Sequence, residues 1–343
     1  MSKVLIATEK PFAASAVAGI KEIIENAGFE LALLEKYTEK AQLLEAVADV
    51  DAIIIRSDKI DAEVLDAAKN LKIVVRAGAG YDNVDLEAAT SHNVVVMNTP
   101  GQNANAVAEL VLGLLVFAVR NFYNGKAGSE LMGKKLGILA FGNVGRNVAR
   151  IAKGFGMEVA AYDAYCPAEV IEAAGVQAAA SQAELFETCD IVSLHIPATA
   201  ETKQSINKAL VGSMKKGGIL INTARKEVIN EPELIELLAE RTDLKYISDI
   251  KPDADEEFAK FEGRYFSTPK KMGAQTAEAN VNAGLAADNQ IALADTSKLY
   301  GQLYLSGIPY ITLMTNNINH PDKTGMTLYA DAIMAVLAPE EEE

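Results

Sequence analysis

The side chains best suited to chemistry in this chain are cations placed where apolar runs end. Val74-Val-Arg76-Ala-Gly78-Ala79-Gly80 closes one run on a guanidinium and then on a glycine-rich turn. One fixed guanidinium with a nest of backbone amides makes a carboxylate clamp. Ile55-Arg56-Ser57 ends another run in the same way. Two such arginines facing one cleft suit a substrate with two anionic groups. Gly218-Ile-Leu-Ile-Asn222-Thr223-Ala224-Arg225 delivers a third arginine, a residue that stays charged and can grip a carboxylate by two hydrogen bonds. Ser267-Thr-Pro269-Lys270-Lys271-Met-Gly273-Ala274 is a rigid turn carrying two ammonium groups. Each segment alone also reads as a surface turn with a solvated cation.

A second kind of chemistry is written into Leu136–Asp163, LGILAFGNVGRNVARIAKGFGMEVAAYD. The order is apolar strand, glycine turn, amphipathic helix, apolar strand, acid. Gly142 and Gly145 let backbone N–H groups approach a pyrophosphate at a helix N-terminus. Asp163 follows near the ~20-residue spacing at which an acid reaches the ribose hydroxyls. An acid there repels a 2′-phosphate, so NAD is expected rather than NADP. The fingerprint G-x-G-x-x-G is imperfect, because Ala140 stands at its first glycine. The alanine is acceptable if its backbone keeps φ negative.

Composition limits what these sites can serve. The chain has 343 residues, half of them hydrophobic, and a formal net charge of −15. A surface so acidic repels nucleic acid and anionic lipid, and an anionic substrate needs local arginine or lysine. Cys166 and Cys189 have no metal-ligand spacing, so neither a disulfide framework nor a metal is expected. Cys166 reads as a small packed residue, with reactivity as the alternative. No signal-peptide pattern opens the chain, and its longest apolar stretch, Leu110–Val119, is too short to span a bilayer. A cytoplasmic protein is expected.

Strand-like and helix-like runs that alternate must hold these residues. A first series places strands at Val4–Ala7, Leu31–Leu34, Ala52–Arg56, Lys72–Arg76 and Val94–Asn98. A long apolar helix from about Asn105 to Arg120 leads to a second series. Its strands are Leu136–Phe141, Glu158–Tyr162, Ile191–His195, Gly218–Asn222, Tyr246–Asp249 and Tyr265–Ser267, with a helix at Glu231–Glu240. The fold class expected is α/β, with two Rossmann-like, doubly wound parallel-sheet lobes. The nucleotide lobe, 105–277, is inserted into a substrate lobe of 1–104 and 278–343, and ligands bind at the strand C-terminal ends. Residues 295–343 give no clear pattern, and Glu340–Glu343 reads as a solvated tail.

Four motifs in this order resemble the D-isomer-specific 2-hydroxyacid dehydrogenases: RAGAGYDNVDLEAAT (Arg76–Thr90), MNTPGQNANAVAEL (Met97–Leu110), GILAFGNVGR (Gly137–Arg146) and INTARKEVINEPEL (Ile221–Leu234). The resemblance covers roughly residues 1–290. It implies a two-lobe NAD enzyme acting on a small anionic 2-hydroxy acid, a homodimer needing neither nucleic acid nor membrane. Within the family it is nearest the branch that oxidises 3-phospho-D-glycerate to 3-phosphohydroxypyruvate for serine synthesis. The alternatives are a glyoxylate or hydroxypyruvate reductase, or a non-catalytic dinucleotide-sensing protein. The resemblance makes Arg225 the catalytic arginine. It puts cofactor contacts at Ala140, Gly142, Asn143, Val144, Gly145, Asp163, Ile196, Thr223, Ala224, Asp249, Gly273 and Ala274. Substrate contacts fall at Arg56, Arg76, Gly78, Ala79, Gly80 and Asn103. His195 reads as a strand-end structural residue.

The chain departs from the family where the acid–base histidine is normally found, between a proline and Gly-Ala. That slot holds Lys270 and Lys271. The family's glutamate position falls on Ala254, flanked by Asp253 and Asp255, and Asp253 is the candidate replacement. The two changes fit together: the glutamate raises the pKa of an imidazole, whereas a lysine is already protonated near neutrality. To accept an alcohol proton the lysine needs a lowered pKa, which a neighbouring guanidinium favours. A lysine-type variant is therefore expected. The segment between Arg120 and Lys134 is short where many relatives carry an arm that helps two subunits embrace, and no amino-acid-sensing domain is recognisable.

Overall fold

The computed structural model describes residues 3–287 and the backbone of two short strands, Met314–Thr315 and His320–Pro321. The expectations for the rest of 288–343 lie outside the described residues. The chain divides into two compact units, one of Met1–Pro100 resumed at Val281, the other Gly101–Asn280.

The first unit holds β1 (Lys3–Thr8), β2 (Glu30–Glu35), β3 (Ala52–Ile55), β4 (Ile73–Arg76) and β5 (Val95–Asn98). They form one parallel sheet in the order β2-β1-β3-β4-β5. Its central strands are apolar at nearly every position: Val4–Ala7 and Ala52–Ile55 are all buried. That pattern follows from covering both faces of a parallel sheet. The helix Ala14–Asn26 buries Ala16, Ile20 and Ile24 at helical spacing. Ala283 and Ala287, on the helical stretch 277–287, pack into the same apolar cluster.

The second unit holds β6 (Lys135–Leu139), β7 (Glu158–Tyr162), β8 (Gln177–Ala178), β9 (Ile191–Leu194), β10 (Ile219–Asn222), β11 (Lys245–Ser248) and β12 (Tyr265–Ser267). The order is β12-β11-β10-β9-β6-β7-β8, parallel throughout. This is a doubly wound sheet whose connections reverse between β6 and β9, the switch point at which such folds bind nucleotides. β8 was not expected from the sequence, since two residues make no periodic run. The helix Ala104–Val119 is buried along most of its length and packs on the helix Asn143–Gly154.

After Val119 the chain makes an unforeseen turn. Asn121, Phe122 and Tyr123 have φ of 52°, 54° and 54°, three successive left-handed residues without a glycine. Lys245 holds the turn: its ammonium donates to Ala118 O (2.8 Å) and Asn121 Oδ1 (3.0 Å) and lies 5.5 Å from the Phe122 ring centre. No helix among the described residues is long and apolar enough to cross a membrane.

Candidate functional site

In the second unit, β6 runs into the turn that the glycine fingerprint marks. Ala140 has φ of +78°. The condition of a negative φ is therefore not met. The turn geometry, not the residue type, sets the backbone here, and the alanine sits where a glycine is at ease. Gly145 is required by close approach: a Cβ there would lie 2.3 Å from Ala140 O. Gly142 precedes the helix Asn143–Gly154, which has no side-chain N-cap, and a Cβ on Gly142 would meet nothing within 4 Å. Uncapped first-turn amides beside open space are the donors that a pyrophosphate takes up.

Asp163, at the end of β7, has a further task invisible in the sequence. Its Oδ2 accepts from Phe141 N (2.7 Å), and its Oδ1 from Tyr165 N (2.8 Å) and Cys166 N (3.0 Å). The carboxylate thus ties the glycine turn to the loop after β7. Arg146 lies over the Phe141 ring, 4.8 Å from its centre, with Nη2 3.6 Å from Cys166 Sγ. His195 meets Ser193 Oγ at 2.9 Å, and burial pushes its pKa down to about 3, so it stays neutral. Ile196 is half-buried against the neighbouring apolar cluster.

The ends of β10, β11 and β12 carry the reactive candidates. Asn222 is buried; its Nδ2 donates to Arg225 O (2.9 Å) and its Oδ1 accepts from Ala224 N (3.0 Å), which shapes the turn through Thr223. Arg225 Nη1 donates to Ala224 O at 3.0 Å. Lys271 Nζ reaches the same carbonyl at 3.3 Å. The structure therefore brings one of the two lysines beside Arg225. Lys270 is exposed, with its backbone oxygen 2.8 Å from Thr268 Oγ1. Asp249 is fully buried; it accepts Met272 N (2.8 Å) at Oδ1 and Gly273 N (2.7 Å) at Oδ2, and Ala274 follows in the same turn.

Asp253 pairs with Lys226. Asp255, the other acid flanking Ala254, accepts from the Tyr265 hydroxyl (2.6 Å) and faces Lys251 (3.1 Å). Counting along the sequence located the acids but not their directions, which the short helix Asp255–Phe258 and its approach loop decide.

In the first unit, Ile55 and Arg76 pair across β3 and β4, so Arg56 and Arg76 leave adjacent strand ends. Arg56 Nη1 donates to Lys10 O (3.2 Å) and Pro11 O (3.1 Å) and stands over Phe12; burial lowers its pKa from the usual range. Buried Asp58 supports this corner, accepting from Glu9 N, the Tyr37 hydroxyl and Arg56 N. Gly78 has φ of +150°, and a Cβ on it would lie 1.4 Å from Arg76 Nη1. The missing side chain is what lets the guanidinium lie across the turn. Ala79 O is held by Asn98 Nδ2 at 2.7 Å, and Gly80 is half-buried in the same turn. Asn103 is the residue before the helix Ala104–Val119, makes no capping bond with its side chain, and falls in the second unit.

An NAD fits the second unit on one further observation. Thr223 Oγ1 is buried with no hydrogen-bond partner among the described residues, in the turn where cofactor contacts are expected. A buried hydroxyl without a partner is costly unless a ligand or water completes it.

Residues 118–265 match the family described as D-isomer specific 2-hydroxyacid dehydrogenase, NAD binding domain. A D-3-phosphoglycerate dehydrogenase of Methanocaldococcus jannaschii is 36% identical over 269 residues, covering 74% of this chain and 51% of the relative. The chain thus spans about half of that protein's length. A hydroxypyruvate reductase of Thermotoga maritima is 36% identical over 278 residues, 75% of this chain and 88% of the relative. Among solved structures, the NAD+-bound 3-phosphoglycerate dehydrogenase of Entamoeba histolytica is 47% identical with a TM-score of 0.77, covering 84% of this chain and 94% of that one.

Proposed function

The chain belongs to the D-isomer-specific 2-hydroxyacid dehydrogenases, with an NAD-binding domain in its second unit, and from that premise we propose that it oxidises 3-phospho-D-glycerate to 3-phosphohydroxypyruvate. The observation that carries the reading is the meeting of Lys271 Nζ and Arg225 Nη1 at Ala224 O, 3.3 and 3.0 Å away. An ammonium and a guanidinium at one carbonyl form a centre that can hold a 2-hydroxy carboxylate and move its hydroxyl proton.

The amides at the start of the helix Asn143–Gly154 and the Thr223 hydroxyl would hold NAD, Asp163 would favour its unphosphorylated ribose, and the cofactor would supply the hydride acceptor. Arg225 fixes the substrate carboxylate and the C2 oxygen through bidentate hydrogen bonds. Lys271, as the free amine, takes the proton from the C2 hydroxyl and passes it to water. Arg56 and Arg76, with the amides of Gly78–Gly80, neutralise the remaining anionic charge, and Asn103 adds a polar contact. Lys270 and Asp253 have no part in proton transfer. The two free cysteines suit the cytoplasm. Tyr123 and Met132, exposed on the second unit, suit a homodimer interface.

Following NADH absorbance with 3-phosphoglycerate and with unphosphorylated glycerate tests this directly. Lys271→Ala is expected to lower kcat by roughly 10²–10⁴-fold, Arg225→Ala to abolish turnover, and Lys270→Ala to leave kcat within a few-fold. Near-wild-type turnover in the Lys271 variant would refute the assignment. A hydroxypyruvate reductase is the second reading, favoured by the coverage of the Thermotoga maritima relative. It predicts equal rates on phosphorylated and unphosphorylated substrates and little effect of Arg56→Ala.

A further inference from the structure

We propose that Thr268 is a positioning residue for Lys271, acting with Asp249 to hold the loop from which the ammonium projects. The inference deepens the function proposed above and rests on the role given there to Lys271.

Thr268 follows β12 and is 5% exposed. Its Oγ1 lies 2.9 Å from Asp249 Oδ1 and 2.8 Å from Lys270 O. Its amide donates to Ser248 O at 3.0 Å, which extends the pairing of β11 with β12 by one residue. The same Asp249 oxygen accepts Met272 N at 2.8 Å, and the other accepts Gly273 N at 2.7 Å. Asp249 is itself tied to the turn that carries Arg225, since its amide donates to Asn222 O at 2.9 Å.

The backbone is therefore held immediately after Lys271, where Asp249 accepts the Met272 amide, and immediately before it, at the Lys270 carbonyl, by the Thr268 hydroxyl, whose single proton is shared between that carbonyl and Asp249 Oδ1. Both contacts end on the Thr268–Asp249 pair. An exposed lysine on a free loop samples many rotamers, each displacing the amine by ångströms. Fixing both neighbouring peptide groups removes the backbone share of that freedom and leaves the side chain to reach toward Ala224 O. Where the family uses a carboxylate to hold an imidazole directly, this chain uses a buried carboxylate and a hydroxyl to hold the peptide groups around an amine. Misplacement of a reacting group by about 1 Å costs on the order of 10²-fold in rate, so loss of the hydroxyl should be read in kcat.

The test is a cycle of variants assayed by reduction of 3-phosphohydroxypyruvate with NADH. Thr268→Val removes the hydroxyl and keeps the shape; Thr268→Ala removes it without any risk of overpacking; Thr268→Ser keeps the hydroxyl. Expected are a roughly 10- to 100-fold fall in kcat for the valine and alanine variants, KM for NADH within twofold, and recovery toward wild type in the serine variant. In a Lys271→Ala background, Thr268→Val should cause no further fall in kcat. A merely structural role would lower the melting temperature and leave kcat per folded molecule unchanged, and that result overturns the proposal. An equal fall in both backgrounds also overturns it, because the hydroxyl would then act independently of the lysine. If Lys271→Ala alone keeps wild-type turnover, the underlying functional reading fails instead, and the two failures are distinct.

Discussion

At the scale of the residue, Ala140 sets side chain against backbone. A left-handed φ costs a non-glycine residue about 1–2 kcal/mol, and Ala140 holds +78°. Two bonds over-determine it: Ala140 N to Tyr162 O at 2.8 Å, and the neighbouring Phe141 N to Asp163 Oδ2 at 2.7 Å. Replacing Ala140 by glycine relieves that cost but adds roughly 0.5–1 kcal/mol of chain entropy lost on folding. The net expectation for Ala140→Gly is a gain of about 0.5–1 kcal/mol in urea unfolding. A loss of the same size would show that the turn is unstrained. The motif and its missing glycine are legible in the sequence, whereas the sign of φ is not, because the turn's geometry rather than side-chain size decides it.

At the scale of the element, strands were the most legible part of the chain. Apolar runs that stop at Arg56 and Arg76 mark the C-terminal ends of β3 and β4 in the first unit, and those that stop at Asp163 and Arg225 mark the ends of β7 and β10 in the second. The two-residue β8 and the left-handed turn at Asn121–Tyr123 left no such trace, since neither shows periodicity or glycine. The direction of Asp253 was equally hidden, being fixed by Lys226 and by the grip of Glu231 on the Asp253 and Ala254 amides. Helix-to-strand spacing is testable at Gly145. A Cβ there lies 2.3 Å from Ala140 O and 3.0 Å from Ile138 Cγ2, both on or beside β6. Backbone on one side leaves little room to yield, so Gly145→Val must push the helix Asn143–Gly154 outward. The expected cost is about 1–3 kcal/mol, and the helix amides move with it. Thermal shift should show a lower melting temperature and a reduced rise on adding NADH. An unchanged NADH-induced rise would mean that the helix terminus is not the cofactor's seat.

At the scale of the whole molecule, acid sensitivity is decided by competing groups. Hydrogen bonding to Arg241 holds Asp243 well below the usual carboxylate range, and Asp51, Asp61 and Asp255 are also lowered. Their contribution is present above the unfolded pKa near 3.9 and is lost as pH falls through the native values, so they act only at strongly acid pH. His195 acts earlier. Burial holds its native pKa at about 3, against about 6.5 in an unfolded chain. From pH 6.5 down to 3 the unfolded chain binds a proton that the native state refuses, so stability falls as pH falls. His92 runs the other way: Ala88 O and Asp66 raise its pKa, so its contribution is present at acid pH and is lost as pH rises. Between pH 7 and 5 some of the 47 carboxylates also begin to protonate, in the wild type and a histidine variant alike, so the difference between the two proteins, not the wild-type slope alone, isolates the imidazole. Lowering the pH from 7 to 5 should cost the wild type about 2 kcal/mol more in urea unfolding than it costs His195→Gln. Identical pH slopes for the two proteins would show that the imidazole reaches water and protonates without unfolding.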